Sequence, residues 1–273
     1  EKAALQELTP DCRFSPCHDC GVCDHVNIKT TLACDTKHIL LENPHLEPSG
    51  SGEASREKRL RILFTKKDRS RLLSHLEVSS ALMRALKQSG LRFIYSQGFH
   101  PHPRISFAVA TSVGMESLTE YADIRVEEPI QNTITFMEAA NRCLPSGMAL
   151  LEMTDLHLTE SSLSEAILAF QYRVILPQRE TIRPAREMND TLQNFLITPS
   201  FITTKTTKDK TIVKDIRPLV EGLLFDPATR VITLRIKWHN NGTLNPLDFL
   251  RDVLGLTDTD LAETRITKTE TFF

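Results

Sequence analysis

The 273-residue chain is 40% hydrophobic and 25% charged with a net charge of −2, the composition of an ordinary protein with apolar mass for one large domain or two modest ones. No apolar run approaches the roughly 18 residues that a membrane helix needs, and the opening residues lack the charged-then-apolar pattern of a signal peptide. Those exclusions lead to the expectation of a cytoplasmic protein with no membrane partner.

Glu1 to Leu8 reads as the end of a helix already under way, so a segment is expected upstream. Four of the six cysteines, Cys12, Cys17, Cys20 and Cys23, then follow at C-x4-C-x2-C-x2-C spacing, while Cys34 and Cys143 stand alone. A disulfide framework would spread its cysteines along the chain. Tight clustering without a secretory leader points instead to a metal in a reducing compartment. Four thiolates this close can wrap one tetrahedral zinc ion or one iron–sulfur cluster, and Pro16 and Gly21 help the backbone turn between ligands. Spacing leaves zinc and iron–sulfur open, because both accept four sulfurs. His18 and His25 stand by as substitute ligands. Residues 1–42 thus form a cysteine-rich knot. Residues 43–58 form a linker, flexible by composition, with two prolines and two glycines between Asn43 and Ser55.

From Arg59 the pattern becomes globular. Leu60 to Phe64 predicts a strand. Ser74-x-x-Glu77 has the form of a capping box, in which each side chain satisfies an otherwise orphan amide, and opens a helix carrying Leu76, Leu82, Met83 and Leu86 that stops at Gly90. Leu91 to Tyr95, Ile105 to Ala110 and Ala122 to Val126 read as strands. Asn132 caps a helix with Ile134, Met137 and Ala140 that ends before Pro145, and Met148 to Met153 is a closing strand. The second half repeats this order more loosely. A strand over Ala169 to Leu176 is followed by a helix over Arg183 to Leu196. Strands over Phe201 to Thr206 and Ile212 to Ile216 flank Lys208-Asp209-Lys210, and strands over Leu223 to Phe225 and Val231 to Trp238 flank Asp226-Pro227. A helix starting at Asn245-Pro246 ends at Gly255, and Arg265 to Thr271 is the last strand. The expected fold is α+β: two tandem ferredoxin-like βαββαβ halves, 59–158 and 165–273, preceded by the small metal knot.

Charge is distributed unevenly. Between Lys58 and Val109 eleven basic residues face only Asp68 and Glu77, and the rest of the chain is acidic. Such a block suggests a basic face on the first half for a polyanionic partner. The stretch Gln97 to Phe107 interleaves His100, His102 and Arg104 with Phe99 and Phe107 around Pro101 and Pro103, next to Tyr95. Cations for phosphates and rings for unstacked bases are what single-stranded RNA recognition requires. The candidate RNA- or substrate-binding residues are therefore Lys66, Lys67, Arg69, Arg71, Arg92, Gln97, Phe99, His100, His102 and Arg104, with the cations that follow the first strand expected near the same edge as the loop. DNA is not expected. Asp215, Arg217 and Glu221 read as an internal ion pair. The chain lacks G-x-S-x-G, G-x-x-x-x-G-K-[ST], H-E-x-x-H and a G-x-G-x-x-G after a strand, so no common catalytic template is present.

Leu63 to Asp68, Arg71 to Glu77 and Tyr95 to Phe107 together resemble a radical-SAM-linked domain of unknown function, and Asp215-Ile216-Arg217-Pro218-Leu219 resembles a second signature of that family. Thr9 to Asp24 resembles the C-terminal end of a cobalamin-binding radical SAM protein to which the domain is fused in bacteria. The likeness covers nearly the whole chain after residue 9. It implies a radical SAM core as partner in cis or in trans, with S-adenosylmethionine and cobalamin bound only upstream of Glu1. The cysteine spacing agrees, since the C-x3-C-x2-C triplet that leaves one iron open for S-adenosylmethionine is absent here. The leading expectation is an accessory RNA-binding domain acting in RNA modification, without a catalytic centre of its own. One alternative is a ferredoxin-like RNA-processing enzyme using His75 or His100 for acid–base catalysis, with a second imidazole or a lysine as the acid. The other is a protein–protein adaptor for the radical SAM partner.

Overall fold

The computed structural model describes residues 57–127, 130–178, 183–206, 211–238 and 242–273. The chain divides between Glu53 and Ala54, and every described residue belongs to the second unit. The four-cysteine knot, its histidines, nearly all of the linker and the Lys208-Asp209-Lys210 turn lie outside the described residues.

Strand β1 (Lys58–Lys66) alternates as a strand with one buried face must, turning Leu60, Ile62 and Phe64 into the core. A 3-10 turn at Asp68–Leu72 leads to α1 (His75–Gln88). The capping box at Ser74 forms as expected: the hydroxyl accepts from the Glu77 N–H, and the Glu77 carboxylate accepts from the Ser74 N–H at 2.8 Å. Gly90, at φ +95°, follows the helix in a conformation that other residues resist. The buried stripe of α1 is Val78, Ala81, Leu82, Ala85 and Leu86, the i, i+3, i+4, i+7, i+8 set. Leu76, expected on that face, is 77% exposed, because at 3.6 residues per turn it lies about 200° around the helix from Val78, off the buried stripe.

Leu91 to Tyr95 is not a strand. It makes only the single bridges Phe93↔Val126 and Tyr95↔Pro103. Strand β2 (Ile105–Phe107) is shorter than expected, and β3 (Glu116–Val126) is about twice the expected length. Helix α2 (Thr133–Cys143) is capped by Asn132, whose carbonyl oxygen accepts from the Thr135 N–H, and β4 (Met148–Leu156) follows it. At this turn Gly147, at φ +89°, brings its backbone so close to the Lys67 carbonyl that a Cβ would collide with it. A short helix α3 (Leu163–Ala166), which no sequence pattern announced, then leads into β5 (Ala169–Ile175).

The second half continues with α4 (Ala185–Ile197) and the hairpin β6 (Ile202–Thr206) and β7 (Thr211–Asp215), which stands apart as a two-stranded sheet. After a 3-10 turn at Arg217–Leu219 come β8 (Val220–Asp226) and β9 (Val231–Lys237). Helix α5 (Pro246–Leu254) runs from its Asn245 cap to Gly255 in the left-handed conformation. A further short helix, α6 (Asp258–Glu263), precedes β10 (Arg265–Phe272).

Eight strands form one large, mostly antiparallel sheet in the order β4-β1-β3-β10-β5-β9-β8, with β2 also on β3. With β6–β7 set aside, each half runs strand, helix, two strands, helix, strand. The orders are β4-β1-β3-β2 in the first set and β10-β5-β9-β8 in the second. The sets meet where β10 runs parallel to the start of β3, at Thr267↔Glu116 and Lys268↔Ser117. Each set packs its helices on one face over its own core: Leu60, Ile62, Leu82, Leu86 and Ile124 in the first, and Phe170, Val174, Met188, Ile232 and Phe249 in the second. Among the described residues no helix is long and apolar enough to cross a membrane.

Candidate nucleic-acid interface

The loop between Tyr95 and Arg104 is held at its base and free at its tip. The Ser96 N–H donates to the His102 carbonyl at 2.8 Å, the His102 N–H returns to the Ser96 hydroxyl at 3.0 Å, and the Arg104 N–H donates to the Ile94 carbonyl at 2.7 Å. Pro101 and Pro103 restrict the backbone between these contacts. The tip carries Gln97, Phe99, His100 and His102, all exposed, and the Phe99 ring is as exposed as in an unfolded chain (103%). Leaving a phenyl ring in water forgoes about 1.5–3 kcal/mol of burial free energy. Nothing in the packing of the described residues requires a ring there. Tyr95, also exposed, carries the Lys87 ammonium 5.7 Å from its ring centroid.

At the foot of the loop Arg104 lines a cleft of about 470 Å³ with Arg59, Arg125, Asp123, Glu160 and Glu165. Arg59, Asp123 and Arg125 belong to the face of β1 and β3 turned away from α1 and α2, Arg104 immediately precedes β2, and Glu160 and Glu165 come from the segment after β4 and from α3. Most of its arginines are already engaged. Arg59 and Arg61 converge on the buried Asp123 carboxylate at 2.5 and 2.8 Å, and Arg59 also donates to the carbonyls of Glu160 and Ser161. Arg125 pairs with Glu57 at 2.7 Å. The Arg104 side chain has no hydrogen-bond or ion-pair partner among the described residues, which leaves it the cleft's available cation. Asp123 is a positioning residue that sequence reading missed; its signal was a carboxylate inside a strand among arginines two residues apart.

The remaining expected cations do not join this site. Strand register puts Ile105 opposite Ile124 and Lys66 opposite Ser117. Seven residues of β3 at about 3.4 Å each separate the two levels by roughly 20–24 Å. Lys67, Arg69 and Arg71 therefore lie toward the far end of β3 from the loop, not at the same edge. Arg69 is exposed, Lys67 and Arg71 are half-buried, and the Lys67 N–H donates to the Gly147 carbonyl. Arg92 is exposed near the loop, where its carbonyl accepts from the Glu127 N–H. The candidate cations of the first half thus fall into two groups at different levels of β3 and not at one edge. The expected Asp215–Arg217–Glu221 ion pair is also replaced. The Asp215 carboxylate accepts the amides of Phe201 and Arg217, Arg217 donates to the carbonyls of Val220 and Leu196, and Glu221 pairs with Arg235.

Lys66 is the plainest correction, being 2% exposed. Its ammonium donates to the carbonyls of Thr111 and Ser112 at 3.1 and 3.3 Å, next to Glu120 and Lys268 at the join of the two strand sets. Glu120 accepts from Lys268 at 2.6 Å and from the Thr111 hydroxyl at 2.5 Å. Burial lowers the Lys66 pKa below the usual lysine range; Glu120 opposes that shift and Lys268 adds to it. Burial alone would raise the Glu120 carboxyl, but Lys268 and the hydroxyls of Thr111 and Ser117 outweigh it and hold the pKa below the usual carboxylate range. With two buried lysines around one buried glutamate, the cluster lies at the join of the strand sets, and the Lys66 ammonium is taken up by partners within the chain. Its signal in the sequence was charge at positions where strand alternation points inward.

No hydrogen bond or ring contact joins His75 and His100 among the described residues. His75, at the start of α1, meets Phe107 edge-on with ring centroids 5.0 Å apart. That contact sits at the end of β2, whereas His100 and His102 precede its start. Among the described residues no group of three histidine, cysteine, aspartate or glutamate side chains is placed to hold a metal.

No curated protein matches the chain. Residues 59–246, carrying the loop, the cleft and most of both strand sets, match the DUF2344 family of uncharacterized proteins conserved in bacteria, and the chain belongs to that family.

Proposed function

We propose that the body of this protein, from Arg59 onward, is an accessory domain that binds single-stranded RNA and holds it for a radical SAM core acting in cis or in trans. The observation that carries this reading is the loop tip: a fully exposed Phe99 followed by His100, His102 and Arg104, whose side chain has no partner among the described residues, on a base fixed by hydrogen bonds. A ring supplies stacking for an unpaired base, and the guanidinium supplies charge for the adjoining phosphate. The radical SAM association rests on the resemblance of Leu63 to Glu77, Tyr95 to Phe107 and Thr9 to Asp24 to that family and its fusion partner. We read each strand set as a ferredoxin-like unit, supported by the shared fourth-first-third-second strand order. Cys12, Cys17, Cys20 and Cys23 are taken as a zinc or iron–sulfur site, to be decided by metal analysis after anaerobic purification.

The test is fluorescence anisotropy of a labelled single-stranded RNA with the full chain across a salt series. Phe99→Ala is expected to weaken binding about 5- to 150-fold, the equivalent of one base–aromatic stack at about 1–3 kcal/mol. Arg104→Ala should lower affinity and flatten the salt dependence by about one phosphate contact. Absence of RNA binding even at low salt would overturn the reading and favour a protein–protein adaptor.

A further inference from the structure

The second strand set presents a face that the first does not. On β5, β9, β8 and β10 the residues turned away from α4 and α5 are exposed or half-exposed, apart from the buried Ala169. They include Gln171, Arg173 and Ile175 on β5, and Thr233, Arg235 and Lys237 on β9. No sequence motif pointed to this surface, since its cations are scattered over three strands between Arg173 and Arg265.

The register draws these cations into a line. Arg265 on β10 is opposite Ile175 on β5, so Arg173, two residues along, is its diagonal neighbour. Arg173 is opposite Thr233 on β9, so Arg235 is in turn the diagonal neighbour of Arg173, and Lys237 follows two residues further on. Diagonal neighbours in a sheet are about 7–8 Å apart, and i, i+2 positions on one strand are about 7 Å apart. The four cations therefore form an oblique track with a near-constant step. Glu221 neutralises one end, lying 3.1 Å from Arg235 and 3.7 Å from Lys237, and the exposed Glu270, opposite Gln171 and bonded to its amide, is a second carboxylate on this face and a diagonal neighbour of Arg173. At the other end Arg173 and Arg265 are exposed and have no ion-pair or hydrogen-bond partner among the described residues. Arg265 also lines a cleft of about 590 Å³ shared with Arg71 of the first half. The Arg235 guanidinium lies 3.7 Å over the Phe272 ring, which sets a flat, charged plane into the track.

Resting on the RNA reading above, we propose that this sheet face is a second contact surface for the same single strand, with Arg265 and Arg173 holding consecutive phosphates and the Arg235–Phe272 pair offering a plane for a base. Evenly stepped charge suits a phosphodiester backbone, and a guanidinium plane is a stacking surface for unpaired bases. The loop at Phe99 would hold one part of the RNA and the sheet face another.

The experiment measures anisotropy of a short and a long labelled oligouridylate with the full chain, comparing the unaltered protein with Arg173→Glu/Arg265→Glu and with Arg173→Lys/Arg265→Lys. Circular dichroism confirms that both variants fold. The charge reversal is expected to weaken the long probe about 10- to 100-fold and to reduce its log–log salt slope by about 1.4, since each single-strand phosphate contact contributes about 0.7. The lysine variant should retain most of the affinity, and the short probe, held at the loop, should be little affected by either. Normal long-probe binding by the reversed variant overturns the sheet-face proposal while leaving the loop reading intact. No binding of either probe by the unaltered protein overturns both. Displacement of the long probe by polyglutamate as effectively as by unlabelled RNA assigns the track to an acidic polypeptide and overturns the proposal.

Discussion

The two strand sets follow the same order and differ in what lies on the face away from their helices. In the first, the chain leaving β4 crosses that face, its carbonyls at Glu160 and Ser161 accept from Arg59, and Asp123 draws Arg59 and Arg61 into a buried network. In the second, the corresponding face carries exposed side chains, and Arg173 and Arg265 stand on it without an ion-pair partner among the described residues. The half that is richer in basic residues along the sequence thus spends several of them on its own structure. The half that looks acidic offers the longer track of cations. Whether an arginine is available to a ligand depends on what its neighbours in the sheet already take from it.

Three measurements test that contrast, in decreasing order of expected effect. Asp123→Ala removes the carboxylate that compensates two largely buried guanidinium groups, and is expected to destabilise the protein by about 3–5 kcal/mol in urea denaturation. A loss below about 1 kcal/mol would mean that these arginines are merely solvated. At the join of the halves, the Glu120 carboxyl has a lowered pKa in the folded state. It therefore contributes stability above its unfolded value near 4.5, and that contribution is lost as pH falls through the lower folded value. Denaturation followed from about pH 6 to about pH 3 should show a steeper loss of stability in the unaltered protein than in Glu120→Gln, which starts less stable because Lys268 and Lys66 lose their counter-charge. Parallel curves would contradict the assignment. Smallest is Arg173→Ala with Arg265→Ala, which should change stability by no more than about 0.5 kcal/mol, as expected for surface residues without structural partners.

Much of this arrangement was legible in the sequence because it is local. Ser74 with Glu77, Asn132, Asn245 and Gly255 mark helix ends through contacts within a few residues, and the structure places each where its chemistry required. The loop around Phe99 was legible for the same reason, since two prolines and a run of polar and aromatic residues cannot be buried together. What could not be read is set by pairing between distant strands. The hydrophobic pattern of β3 is broken by Ser117, Thr119 and Glu120, which are buried by hydrogen bonds and an ion pair and not by apolar packing, so its first half did not read as a strand. Lys66 belongs to the same cluster. Its partners come from residues 45 and more positions away, and from its own neighbourhood it looked like a surface cation. The helices α3 and α6 are too short to display a periodicity. The diagonal track exists only through register.

The central claim is that the Phe99–Arg104 loop binds single-stranded RNA. It is tested most directly by titrating a labelled single-stranded RNA with the full chain at low salt, with and without Phe99→Ala. The account predicts salt-sensitive binding by the unaltered protein and a loss of about 5- to 150-fold on removing the ring. RNA binding that is indifferent to Phe99→Ala, or no binding at all, would contradict it.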